Sequence, residues 1–349
     1  MSIADPNFNV LPPFPVTSVE LIKGIPDAEN QVYDSGDAPF SEGDLVWDEG
    51  HIFRSLVDDN SDDTNVALSW EDVGEIDQGA IKWVAGTFAA DVYKVHNSAL
   101  WKSATGSNAD EPTEASIKWT RQGATTRFKA FDKALQDEAS IPGRVVYELE
   151  FSDFVTSMAL LRTSGTSSVR VTVTDDTDGE VYNREFSVIE DSNIDDWWDF
   201  FFAPNVEQES VLIDNMPPYA GAQIRIESDG PSFSVGQIIA GTELTFGVVV
   251  SGSGVGIESF DVKERDDFGR FIIAERPYSE TGDFSIRFPT KQAGYIRREL
   301  AKVRAKETLY YMTDGAAYGL VVYGFYRDFD ILHSSPVVSE WAVKIEGLG

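Results

Sequence analysis

Apolar and polar residues alternate along much of the second half of this chain, and that period predicts strands. Val145-Val146-Tyr147-Glu148-Leu149-Glu150-Phe151 alternates, and so does Val169-Arg170-Val171-Thr172-Val173-Thr174, which runs into a turn at Asp178-Gly179. Residues 181–188, 223–227, 232–238 and 244–250 read the same way. Many short strands divided by turn signals predict a jelly-roll-like β-sandwich over residues 124–265. The period then changes. Between 290 and 306, Ala293, Ile296, Leu300 and Val303 recur at helical spacing while basic residues cover the rest. Strands are expected around that helix at 284–288, 308–312, 319–325 and 343–345. Residues 266–349 therefore read as a small α+β domain.

The first third contains an internal repeat. One copy runs Phe40-Ser41-Glu42-Gly43-Asp44-Leu45-Val46-Trp47, Asp48-Glu49-Gly50-His51, Ile52-Phe53-Arg54-Ser55 and closes at Trp70-Glu71-Asp72-Val73-Gly74. The other runs Val92-Tyr93, His96-Asn97-Ser98, Leu100-Trp101-Lys102-Ser103 and closes at Trp119-Thr120-Arg121-Gln122-Gly123. Each copy predicts a three-stranded β module: a hairpin, a variable loop and a strand carrying Trp. The second hairpin turn reads as two residues longer than the first. The modules span residues 33–77 and 78–123. Ahead of them, residues 1–32 read as an extended arm, because Leu11-Pro12-Pro13-Phe14-Pro15 cannot be helical. The arm packs on another domain or subunit, or else is a disordered leader. The chain as a whole is expected to be mainly β.

Composition narrows the function. The 349 residues include no cysteine, which excludes disulfides, thiolate zinc sites and thiol nucleophiles. Fifty-nine acidic residues against 28 Lys and Arg give a net charge of −31, which repels nucleic acid phosphates and anionic membranes. No apolar run is long enough to span a bilayer, so no membrane insertion is expected. Residues 1–15 do not read as a secretory signal.

Catalytic chemistry is not indicated. His51, His96 and His333 fall in no metal-binding pattern, and the chain is read as having no metal site, no cofactor and no catalytic residues. The run Asp58-Asp59-Asn60-Ser61-Asp62-Asp63 lacks the glycine and terminal glutamate of a calcium loop, so it reads as a solvated acidic loop. Gly252-Ser253-Gly254-Val255-Gly256 lies between strands with no following helix, so it reads as a connection rather than a phosphate cradle. Aromatic residues are left. Trp47, Phe53, Trp70, Tyr93, Trp101 and Trp119 in the repeat either stack on sugar rings or form the small module cores. Trp197-Trp198-Asp199-Phe200-Phe201-Phe202 is too dense for one strand face to bury. Its Trp197, Trp198 and Phe201, with Phe8, Leu11 and Phe14 of the arm, are the candidate partner-interface residues. The same cluster also reads as domain core.

Two resemblances bear on function. Phe40-x-x-Gly43-Asp44-x-Val46-Trp47 with Gly50, Phe53 and Trp70 resembles small chitin-binding-type carbohydrate-binding modules. The second copy departs from that pattern, with Ala90-Asp91 in place of Gly-Asp. Along the whole chain, Asp5-Pro6-Asn7-Phe8-Asn9-Val10-Leu11-Pro12-Pro13, Thr125-Thr126-Arg127-Phe128-Lys129-Ala130-Phe131-Asp132, Val235-Gly236-Gln237-Ile238-Ile239-Ala240-Gly241, Ser259–Gly269, Val322–Phe329 and Lys344-Ile345-Glu346-Gly347-Leu348 occur in the order seen in a family of tailed-bacteriophage structural proteins. That resemblance implies a tail-tip or baseplate subunit, oligomeric within the virion. Its implied partners are other tail subunits and, for host recognition, a host surface glycan. The competing readings are a secreted non-catalytic carbohydrate-binding protein, the binding part of a glycan-degrading enzyme, and a cellular scaffold without ligand.

Overall fold

A computed structural model describes residues 6–23, 31–48, 51–75, 80–126, 128–132, 135, 137–142, 145–151, 153–190, 196–202, 206–228, 230, 232–250, 252–265, 271–274, 276, 278–313, 320–332 and 336–348. As the alternation predicts, the chain is mainly β.

The largest sheet has seven strands and closes on itself. Leu244–Val249, Asn7–Leu11, Thr308–Met312, Val321–Leu332, Val338–Gly347 and Tyr278–Pro289 pair in that order, and Tyr278–Pro289 pairs back onto Leu244–Val249. The result is an antiparallel barrel, with Gly254–Ser259 added to the remaining length of Tyr278–Pro289. Closure presses the two backbones together at Gly247. Its φ is +130°, and a Cβ there would lie 2.5 Å from the Arg287 carbonyl oxygen, so no larger residue fits. Phe8, Phe246, Phe284, Phe288, Tyr310 and Trp341 fill the interior. The helix Ala293–Val303, here called α2, covers it with Ile296, Leu300 and Val303. The expected 290–306 helix is shorter because its first turn, Thr290–Gln292, is a 3-10 turn.

The sandwich faces one five-stranded sheet against shorter ones. Gly179–Ser187, Ser168–Asp175, Gln223–Ser228, Val146–Phe151 and Val16–Lys23 form the first. Ser210–Ile213, Ser157–Leu161 and Gln237–Gly241 form a second, and Ala139–Pro142 pairs with Ser232–Val235 beside it. The expected continuous strand 232–238 breaks at Gly236, where a Cβ would lie 2.5 Å from the Leu135 carbonyl oxygen.

A shared seam joins sandwich and barrel. Met158, Leu160, Ile238 and Ala240 point into the sandwich core, while their neighbours Ala159, Leu161 and Ile239 point outward. The outward set meets Leu11, Leu309, Tyr311, Val321 and Tyr323 on the outside of the barrel. Strands buried on both faces follow from this, as does the loss of alternation in Ser157–Leu161 and Thr308–Met312. Each large aliphatic side chain buried in the seam contributes about 2 kcal/mol.

The boundaries drawn from sequence change accordingly. Residues 244–259 leave the sandwich for the barrel. The N-terminal segment packs on the chain's own two bodies, contributing one strand to each. Asn7–Leu11 belongs to the barrel and Val16–Lys23 to the sandwich, and the proline corner between them is fixed by Phe14 N–H donating to the Ala240 carbonyl at 2.9 Å.

The repeat folds twice in the same way. Each copy gains a fourth, two-residue parallel strand, Gln31–Val32 in the first and Ile81–Lys82 in the second. Both hairpins close on two residues, between Asp48 and His51 and between His96 and Ala99. The second turn is therefore not longer. His51 opens a strand whereas His96 ends one, so the two histidines do not correspond. Asn97 (φ 49°) and Ser98 (φ 59°) adopt the left-handed conformations of a primed two-residue turn. Ile52 of the first module meets Ala80, Val95 and Leu100 in a small cluster between the copies.

Candidate interaction surface

The module aromatics are held by a polar skeleton that occurs twice. Asn60 Nδ2 donates to Ser55 Oγ and the Ser69 carbonyl, both at 2.9 Å, and Asn60 Oδ1 accepts from Asp62 N–H at 3.1 Å. Asn108 repeats this with Ser103 Oγ and the Lys118 carbonyl at 3.0 Å and with Asp110 N–H at 3.1 Å. Each loop carbonyl fixed in this way receives an indole. Trp70 Nε1 donates to Asp62 O at 2.9 Å and Trp119 Nε1 to Asp110 O at 2.7 Å. The pattern Ser-x4-Asn-x-Asp, Ser55 to Asp62 and Ser103 to Asp110, carries this skeleton in the sequence. It emerges once the two copies are aligned on their serines.

These bonds decide what the aromatics do. Trp70, Trp101 and Trp119 are 2–5 % exposed, so their ring faces are covered and do not present a sugar platform. Trp70 packs with Phe40 and Val46, and Trp101 packs with Trp119 and Ala99. Phe53 is half-buried against the first module's core and Tyr93 against the cluster between the copies. The backbone of Trp47 pairs with Ile52, and its side chain lies outside the described residues.

The modules' outer surface carries aliphatic residues instead: Leu68 and Ile117, each two positions before the closing Trp, are almost fully exposed. His51 pairs with Asp72 and His96 with Glu111, each at 3.0 Å. His333 lies outside the described residues. The acidic loop is structural in part. Asp58 accepts from Glu42 N–H at 3.0 Å, and Asp62 accepts from the Ser69 hydroxyl. The glycine-rich segment runs along Tyr278–Pro289: Gly254, Val255 and Gly256 pair with it as strand, and Ser253 Oγ accepts from Ser285 N–H at 2.9 Å.

At one buried position the copies differ in polarity. Lys94 stands in the second module where Val46 stands in the first. Its ammonium lies 5.2 Å from the centre of the Phe88 ring, and burial pulls its pKa below the ordinary lysine value.

The candidate interface residues divide. Phe8 is sealed inside the barrel, Leu11 lies in the seam, and Phe14 packs on the sandwich core. These three serve the chain's own folding. Trp197, Trp198 and Phe201 do the opposite. Residues Trp197–Phe202 form a short helix, α1, set between the paired strands Ile189–Glu190 and Val206–Glu207. Asp196 Oδ1 accepts from Trp198 N–H at 2.7 Å and opens the helix. Helical spacing places Trp198 4.3 Å from Phe202 with the rings tilted, and stacks Trp197 on Phe201 at 6.3 Å. The helix thus resolves the crowding expected of a strand. It does so without burial, since Trp197, Trp198, Phe201 and Phe202 are 66–78 % exposed. Four large aromatic side chains on one exposed helix make a surface suited to docking.

Compared with known proteins, the chain matches no family model, no curated protein and no solved structure.

Proposed function

We propose that this chain is a non-catalytic structural subunit of a bacteriophage tail tip or baseplate that supports host attachment through its binding modules. The observation that carries this reading is α1, whose exposed Trp197, Trp198, Phe201 and Phe202 fit assembly with a neighbouring subunit. The order of tail-protein-like segments along the whole sequence supports the same reading. The paired modules then offer Phe53, Tyr93, Leu68 and Ile117 to a glycan or protein on the host. Binding per module is weak, and many copies on one tail supply avidity.

Locating the chain in purified particles by cryo-electron microscopy and mass spectrometry tests this. The expected result is a fixed position at the tail end with α1 against a neighbour. A chain recovered only as free monomer and absent from particles sinks the proposal and favours a free glycan-binding protein. A glycan array probes the modules separately: binding should fall on Phe53→Ala/Tyr93→Ala, while binding that survives in full removes those side chains from the site.

A further inference from the structure

Charge is distributed unevenly between two exposed helices. Residues 185–224 contain nine acidic residues and no Lys, Arg or His, and α1 lies within them. Residues 291–306 contain six basic residues and one acid, Glu299, and α2 lies within them. The second segment carries +5 on a chain of −31. Lys291, Arg297, Arg298, Lys302, Arg304 and Lys306 are all exposed. Glu299 is mostly buried beneath them, 2.7 Å from Lys302. Tyr295 is 44 % exposed on the same helix, and Gly294 beside it borders open space. The basic face is therefore built by the same amphipathic pattern that folds the helix: Ile296, Leu300 and Val303 go inward and the cations go outward.

We propose that the basic face of α2 binds the acidic, aromatic α1 segment of a second copy of this chain. Charge complementarity selects this occupant. A second copy is overwhelmingly anionic, and α1 combines its exposed aromatic rings with the base-free stretch of sequence. Guanidinium groups stack on Trp and Phe faces while pairing with neighbouring carboxylates, so one surface satisfies both features of the other. The two faces differ, so the contact is heterologous and continues head to tail into a ring or a filament. The proposal concerns this chain alone and does not depend on which particle it joins.

The test uses the purified full chain. Sedimentation velocity at about 0.05 M and about 1 M salt should show self-association at the lower value that is lost at the higher, because screening shortens the reach of the charges. Arg297→Glu/Arg298→Glu/Lys302→Glu should weaken association at least roughly tenfold, and Asp196→Lys/Asp199→Lys should do the same. Mixing these two variants should restore association, since each now carries the complement of the other. That recovery also shows that both variants fold. Carbodiimide cross-linking of isotopically mixed wild-type chains should join Lys302 or Lys306 of one copy to Asp196 or Asp199 of another. A chain that stays monomeric at low salt overturns the proposal. So does self-association that ignores both reversals, or capture of anionic vesicles or DNA by α2 in place of a second copy. Loss of association would leave a tail location untouched, so the two proposals fail separately.

Discussion

The paired modules and α1 hold seven of the molecule's eight tryptophans, and they use their rings in opposite ways. In the modules, Trp70 and Trp119 sit on strands whose loops supply a carbonyl for each indole, and the rings are buried. In α1, Trp197 and Trp198 follow a capping aspartate, and the rings pair along the helix in the open. Aromatic density alone therefore says little about binding. What separates the two cases is whether a polar partner and an opposing sheet face are within reach of each ring.

The strongest test of that contrast removes one ring from each region. Trp119→Ala should cost the second module about 3–5 kcal/mol, because Trp101, Trp83 and Phe88 have little else to pack on. Hydrogen exchange across residues 80–124 should rise sharply while the barrel and sandwich stay protected. Trp198→Ala should change stability by no more than about 0.5 kcal/mol, since the ring is mostly in solvent. Equal losses of stability in the two variants would break the comparison.

A smaller effect isolates the polar skeleton. Asn108→Ala removes three hydrogen bonds in the second module and leaves the Asp110 N–H without that acceptor, while Ser103 Oγ keeps the Thr105 carbonyl and the Lys118 carbonyl keeps the Ala104 N–H. The expected cost is about 1–3 kcal/mol. Asn60→Ala should cost a similar amount in the first module, because its contacts are the same. Denaturant melts followed by Trp fluorescence measure both. A neutral outcome at either site would show that the indoles hold the loops unaided.

Much of the fold was legible from periodicity. The strands near 146–151 and 168–175, the helical stripe of Ile296, Leu300 and Val303, and the repeat itself all follow from the spacing of apolar residues. Partnering was less legible. Nothing in Leu244–Val249 distinguishes a sandwich strand from a barrel strand, because both need one buried face, and its pairing with Asn7–Leu11 and Tyr278–Pro289 assigns it. Phe8 and Leu11 looked like interface residues because their neighbours in sequence offer no core, yet distant residues provide one: Tyr310 and Trp341 for Phe8, and Ile239 and Leu309 for Leu11. The exposure of Trp197 and Trp198 was foreseen in part, through the crowding of aromatics, but not the helix that creates it. A helix of six residues leaves no periodic signal longer than its own cluster.

The smallest predicted effect concerns a core position at which the modules differ in polarity. Lys94 replaces the apolar Val46, and its ammonium gains a ring contact with Phe88 at the cost of desolvation. These terms oppose each other, so Lys94→Val should stabilise the second module by less than the Asn108 effect. The pH dependence gives the sign. A lysine whose folded pKa is lowered binds fewer protons when folded than when unfolded, so wild-type stability rises with pH through the interval between the lowered value and the ordinary value near 10.5. The advantage of the valine variant should therefore be largest near neutrality and shrink as pH climbs through that interval. Melts of both proteins between neutral and strongly alkaline pH would show this convergence. A constant gap would mean that Lys94 keeps its charge solvated in the folded module. The second copy would then have a wet core position where the first, with Val46, has a dry one.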